Sequence, residues 1–143
     1  MKPIIDHIQI TVKDLNVAES FYDKFLPVLG FDLKHKSKGR VAEHDFDVVE
    51  YYHPLLIFGI NSPRDVFKTD TIHRRKPGAL HHLAFSAESR AEVDSLYPEI
   101  LKIGANIVDE PKFYPQHGDS YYALFFKDME GIKYEIVFEE GRA

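Results

Sequence analysis

The 143-residue sequence contains no cysteine. Disulfide bridges, thiolate metal sites and cysteine nucleophiles are therefore excluded at once. It also has no apolar run long enough to cross a bilayer, and it opens without the hydrophobic core of a signal peptide. A cytoplasmic protein is the default expectation. A basic excess is missing too. The formal net charge is −5, whereas nucleic-acid binding needs a positive surface. Against that background the short cluster "HRRK", His73 to Lys76, reads as a solvated loop. Nor does the chain carry a phosphate-cradling glycine loop, a glutathione-binding signature or a coenzyme A motif.

What is present fits one globular domain over 1–143: 44% hydrophobic and 29% charged residues, enough to build a sizeable core. The second half restarts the first. "HIQITV" at His7 to Val12 and "HLAFSA" at His82 to Ala87 both run histidine, apolar, variable, apolar, hydroxyl, apolar. An amphipathic segment follows each, with Phe21, Phe25, Val28 and Leu29 in one and Val93, Leu96, Ile100 and Leu101 in the other. Each stops near a glycine, Gly30 or Gly104. Pro27 and Pro98 are expected to end or kink these helices. Strand-like runs come next: "FDL", "FDVVEYYH" and "LLIFGI", then "NIVDE", "YYALFFK" and "KYEIVFE". The order strand, helix, three strands therefore occurs twice, giving an α+β chain. Module 1 covers about 1–62, a polar connector about 61–78, and module 2 about 79–140.

Alternation assigns the faces. Residues two apart on a strand share a side, so Ile8, Ile10, Leu83, Phe85, Tyr134, Ile136 and Phe138 belong against the helices. His7, His82 and Glu135 then project from the opposite face, each from a different strand. Two neutral imidazoles and a carboxylate suit a divalent ion such as zinc or iron(II) and leave positions open for substrate. Gln9, Thr11 and Ser86 share those faces as substrate-pocket candidates. One of Tyr121 and Tyr122 must face inward, and alternation alone does not choose between them. Tyr121 is the candidate catalytic proton donor, provided its surroundings move its pKa toward neutrality.

The other histidines have blander explanations. His35, His44, His53 and His73 read as surface or hydrogen-bonded residues, and His81 points away from His82 if the strand has begun there. His117, in "PQHGDS", sits in a glycine-containing loop that could fold over a site.

The pieces "HIQITVKDLNVAESFYDKFLPVLGF", "HHLAFSA" and "FFKDMEGIKYEIV" resemble the vicinal oxygen chelate superfamily, which includes glyoxalase I, bleomycin-resistance proteins, extradiol dioxygenases, methylmalonyl-CoA epimerase and fosfomycin-modifying enzymes. The resemblance implies tandem βαβββ modules whose curled mixed sheets surround a metal-binding cleft. His7, His82 and Glu135 match the family's ligand positions. The fourth-ligand position of glyoxalase I matches Ile57 here, which argues against that activity. The resemblance thus implies a divalent-metal-dependent lyase or dioxygenase acting on a small oxygenated substrate, with zinc, iron, manganese and nickel all admissible. The alternative is a metal-free binding protein of the bleomycin-resistance kind. A homodimer is expected, its modules paired within one chain or exchanged between two.

Overall fold

The computed structural model describes residues 1–142, and its backbone repeats one plan twice. The chain divides into two units, Met1–Thr71 and Ile72–Ala143. The first holds β1 (His7–Thr11), α1 (Leu15–Val28), β2 (Asp32–Val41), β3 (Phe46–His53) and β4 (Leu56–Asn61). The second holds β5 (Leu83–Ser86), α2 (Arg90–Lys102), β6 (Asn106–Phe113), β7 (Tyr122–Lys127) and β8 (Lys133–Phe138). Strand order is β1-β4-β3-β2 in one sheet and β5-β8-β7-β6 in the other. In both, the first strand pairs parallel with the last, and the remaining pairings are antiparallel. The repeat read from the sequence is therefore a repeat of topology.

Each helix begins at a side-chain cap. The Asp14 carboxylate accepts from the Val17 N–H at 3.1 Å, and the Ser89 hydroxyl oxygen accepts from the Glu92 N–H at 3.1 Å. Glu92 in turn accepts from the Glu88 N–H at 2.6 Å, a near relative of the capping box. Gly30 and Gly104 follow the helices at φ 91° and 87°, a conformation side chains resist.

Packing fixes the faces. In the first unit α1 buries Ala18, Phe21, Tyr22, Phe25 and Leu26, and the Tyr22 ring stacks on Phe58 of β4 at 5.7 Å. In the second, the Tyr122 hydroxyl donates to Asp94 of α2 at 2.6 Å, so Tyr122, Leu124 and Phe126 of β7 face that helix. Their register partners Tyr134 and Ile136 lie on the same side, with Phe126 and Tyr134 stacked at 5.7 Å. Fully burying such a side chain contributes about 1.5–3 kcal/mol. Asp128 closes the "DMEG" turn, accepting from the Glu130 and Ile132 N–H groups at 2.9 and 2.8 Å. This turn sets where β8, and hence Glu135, begins.

Four expectations need correction. Only Pro98 departs from the expectation that the prolines end the helices: α1 stops at Val28, one residue after Pro27, whereas α2 runs four residues beyond Pro98 to Lys102. Pro98 is exposed and Ile100 is fully buried, so packing carries the helix past one missing hydrogen bond. β2 extends to Val41, well past "FDL", because pairing with β3 rather than apolar alternation holds it. β5 begins only at Leu83, so strand alternation does not separate His81 from His82. Finally, the "HRRK" loop is not wholly solvated. Arg74 is half-buried, and its Nε is completely so.

The Pro98→Ala variant is expected to gain about 1–3 kcal/mol of stability by restoring the helical hydrogen bond. Urea unfolding monitored by circular dichroism checks this; an unchanged or lowered midpoint would mean that α2 depends on the proline.

Candidate metal centre

The site grows from one acid in an apolar setting. Glu135 lies mid-way along β8, is 1% exposed, and is cross-strand from Phe125 on β7. An apolar cluster lines part of its face: Tyr114, Ala123, Phe125 and Val137, with Tyr121 packed against them. A carboxylate in such surroundings must be paired or lose its charge. Both oxygens have partners. The Tyr121 hydroxyl donates a short hydrogen bond to Oε1, and His82 Nε2 stands 3.1 Å from Oε2. Of the two tyrosines at this strand start, Tyr121 therefore faces the acid and Tyr122 the helix.

The His82 ring is set from both ends. Its Nδ1 lies 2.7 Å from Nδ1 of His81, and the two rings are 5.0 Å apart. His81 is thus the immediate neighbour of His82 rather than its opposite. His82 also sits edge-on to Phe125 at 6.1 Å. His117 stacks on Tyr114 at 6.0 Å and lies 5.2 Å from Tyr121, so the "PQHGDS" loop does reach this cluster.

The donor set fits a divalent ion. Nε2 of neutral imidazole and a carboxylate oxygen both present lone pairs, so their 3.1 Å approach needs a shared proton or a cation between them. When His82 Nδ1 carries its proton toward His81, Nε2 is left free to ligate. His7, in the other unit, has a matching arrangement. Its Nδ1 lies 2.7 Å from Asp6 Oδ2, which leaves Nε2 free. His82, Glu135 and Tyr121 come together within one unit and His7 belongs to the other. Among the described residues no three His, Asp or Glu side chains are gathered into one cluster.

Around His7 the same face of β1 and β4 carries a polar ladder. Gln9 donates to Asn61 at 3.3 Å, and Asn61 donates to Thr11 at 2.9 Å. Asn61 was not among the sequence candidates, since its partners are 50 residues or more away in the chain. Ser86, at the far end of β5 from His82, is exposed. Register also moves the presumed fourth-ligand position. His7 pairs directly with Ile57, whereas Glu135 pairs with Ala84, two residues beyond His82. The counterpart of Glu135 is therefore Gly59, cross-strand from Gln9, and Ile57 corresponds to Lys133. A side chain at Gly59 would start 3.4 Å from the Gln9 Cγ. Neither residue offers a metal donor.

Electrostatics separate the neighbouring groups. Burial, then the hydrogen bond to Glu135, pushes the Tyr121 phenol well above its ordinary range, away from neutrality. Burial, then the hydrogen bond to the Asp109 carboxylate, does the same to Tyr114. Lys133 is pushed down by burial and then by the charges of Arg74 and Lys127, against the opposing pull of Asp109 and Glu135. His81 is lowered by desolvation and then by His82, Arg74 and Lys133.

A duplicated βαβββ plan with an imidazole–carboxylate pair on the face away from its helix defines a modular α+β protein. The chain belongs to the Glyoxalase/Bleomycin resistance protein/Dioxygenase superfamily, whose family model matches residues 4–136. It is 33% identical over 132 residues to the protein YqjT of Bacillus subtilis strain 168, covering 92% of this chain and 95% of that one. A solved structure from Bacillus halodurans is 29% identical with a TM-score of 0.74, covering 96% and 97% of the two chains. FosX, a fosfomycin resistance protein from Listeria monocytogenes solved with Mn(II) and sulfate, shares the fold at 17% identity. Its TM-score is 0.63, and the coverage is 99% of this chain and 96% of that one. No helix here is long and apolar enough to cross a membrane among the described residues.

Tyr121→Phe removes a donor from a buried carboxylate and is expected to destabilise the metal-free protein by about 1–3 kcal/mol. Denaturant titration reads this directly. A change below a few tenths would show that Glu135 does not depend on the phenol.

Proposed function

We propose that the chain is a divalent-metal-dependent enzyme of its superfamily, a lyase or dioxygenase acting on a small oxygenated substrate, with His7, His82 and Glu135 as the protein ligands. The observation that carries this is the buried Glu135 carboxylate facing the imidazole of His82 at 3.1 Å. A bound divalent ion would supply Lewis acidity, stabilising negative charge that develops on substrate oxygens. The chain's own residues prepare for this. Asp6 accepts at the Nδ1 side of His7, which favours the tautomer that presents Nε2, and His81 stands against the Nδ1 side of His82. Tyr121, kept protonated, holds one oxygen of Glu135 and leaves the other toward His82. We assign it as a positioning residue. Gln9 and Thr11, tied through Asn61, and Ser86 are the polar groups proposed to meet the substrate. With Gly59 where a fourth ligand would stand, open coordination positions favour bidentate substrate binding and disfavour glyoxalase I chemistry.

A metal-free binding module is the competing reading, favoured by the apolar surface of Tyr114, Phe125 and Val137. Glu135 argues against it, since an apolar ligand gives a buried carboxylate nothing to bind. We also propose a cytoplasmic homodimer. The exposed side chains Ile4, Ile5 and Leu55, 78%, 59% and 79% accessible, border one cleft of the first unit and suit a protein partner.

Calorimetric titration with Mn(II), Zn(II), Fe(II) and Ni(II) is expected to give one site per chain. His7→Ala, His82→Ala and Glu135→Gln should each weaken it by about a hundredfold or more. The loaded protein is then to be screened on methylglyoxal hemithioacetal, catechols and fosfomycin. Metal affinity indifferent to all three substitutions would overturn the assignment, and hemithioacetal turnover would show that the position at Gly59 does not govern the chemistry.

A further inference from the structure

We infer that the substrate of this site carries an oxyanion group, a carboxylate, phosphonate or phosphate, and that Arg74 and Lys133 receive it. The inference rests on the metal-enzyme reading for its site but on different residues for its content.

Lys133 is two residues before Glu135 on β8 and so shares its face. It is half-buried, and its Nζ lies 4.7 Å from the centroid of the Phe125 ring, the same ring that His82 meets edge-on. The ammonium therefore stands on the floor of the candidate site. Directly across the ladder from Lys133 is Lys127, a like-charged pair that destabilises a sheet when nothing lies between its members. Arg74 joins them from the loop after Ile72, near enough for its charge to bear on both Lys133 and His81. Neither Arg74 nor Lys133 forms an ion pair among the described residues.

The guanidinium supplies the second observation. The buried Arg74 Nε has no hydrogen-bond partner among the described residues. Buried donors without acceptors are costly, and a fold retains them where a ligand or ordered water completes them. Asp109 and Glu135 pull on Lys133, but Glu135 is already engaged by Tyr121 and His82, and a bound divalent ion would take up its charge. That leaves Arg74, Lys127 and Lys133 beside Asp109, a cluster with an excess of positive charge. An anionic substrate resolves the imbalance. It would place its oxyanion on Arg74 and Lys133 and its neighbouring oxygens toward His82 and Glu135. A planar guanidinium is suited to bidentate oxyanion contact, and Lys133 adds a point charge.

The test uses inorganic phosphate and acetate as probes, titrated calorimetrically at fixed ionic strength into the whole protein, metal-free and Mn(II)-loaded. The wild type is expected to bind at least one of them. Arg74→Gln and Lys133→Gln should each weaken binding roughly tenfold or more, while Arg74→Lys recovers part of the loss and Lys68→Gln, on the other unit, changes nothing. Mn(II) affinity should stay within about twofold in Arg74→Gln, and circular dichroism melting confirms that each variant is folded. Preference for phosphate assigns a phosphoryl or phosphonyl substrate, and preference for acetate a carboxylate. No binding of either probe, or binding unchanged in both variants, overturns the inference. Arg74-dependent phosphate binding in a protein that takes no metal would sustain it and remove the metal-enzyme reading instead.

Discussion

A single buried carboxylate organises the second unit. Glu135 has an apolar cluster on its own face and the helix-facing core behind it, and its two oxygens meet the Tyr121 hydroxyl and the His82 imidazole. Other features serve to place those partners. The Asp128 turn fixes the start of β8; the Tyr122–Asp94 bond turns β7 so that Tyr121 faces the acid; His81 fixes one end of the His82 ring. Replacing an acid at such a place with an aliphatic residue would be neutral or favourable for stability alone. Its presence therefore points to a ligand rather than to the fold.

The strand alternations in "HIQITV" and "KYEIVFE" make the strand faces legible in the sequence. Period-two patterning puts His7, His82 and Glu135 on the face away from the helices; the registers include His7 and Glu135, while His82 stands just before β5. Element order, helix stops and the limits of β3 were equally readable, because they depend on local chemistry: caps, glycines and runs of β-branched and aromatic residues. What stayed hidden depends on pairing. The polar ladder through Asn61 joins residues distant in sequence. β2 is held by its neighbour rather than by its own pattern. The side on which Tyr121 falls was decided by a hydrogen bond from its neighbour to a helix.

The misplacement of the fourth-ligand position shows the same limit at one residue. Counting along "LLIFGI" puts Ile57 opposite His7, which is true of the ladder but not of the counterpart of Glu135. The acid lies two residues further along its strand than the histidine's direct partner, so the corresponding position is Gly59. The chemical conclusion is unchanged, since neither isoleucine nor glycine can ligate. The structural one does change. A glycine leaves room for the Gln9 side chain to lie across it and reach Asn61.

The two halves therefore keep one scaffold and divide its chemistry. Both place a histidine at the head of the first strand, and both hold its Nδ1 with the residue before it, Asp6 in one and His81 in the other. Beyond that point the equivalent positions differ. Gly59 and Ile57 of β4 are neutral and open, whereas their counterparts Glu135 and Lys133 of β8 carry opposite charges on one face. Alternation forces those two side chains to the same side, and two residues of strand keep them about 7 Å apart along it. An acid and a base so spaced do not cancel each other by direct contact. They present a negative pole beside a positive one, which is what the proposed metal and oxyanion ligands would each require.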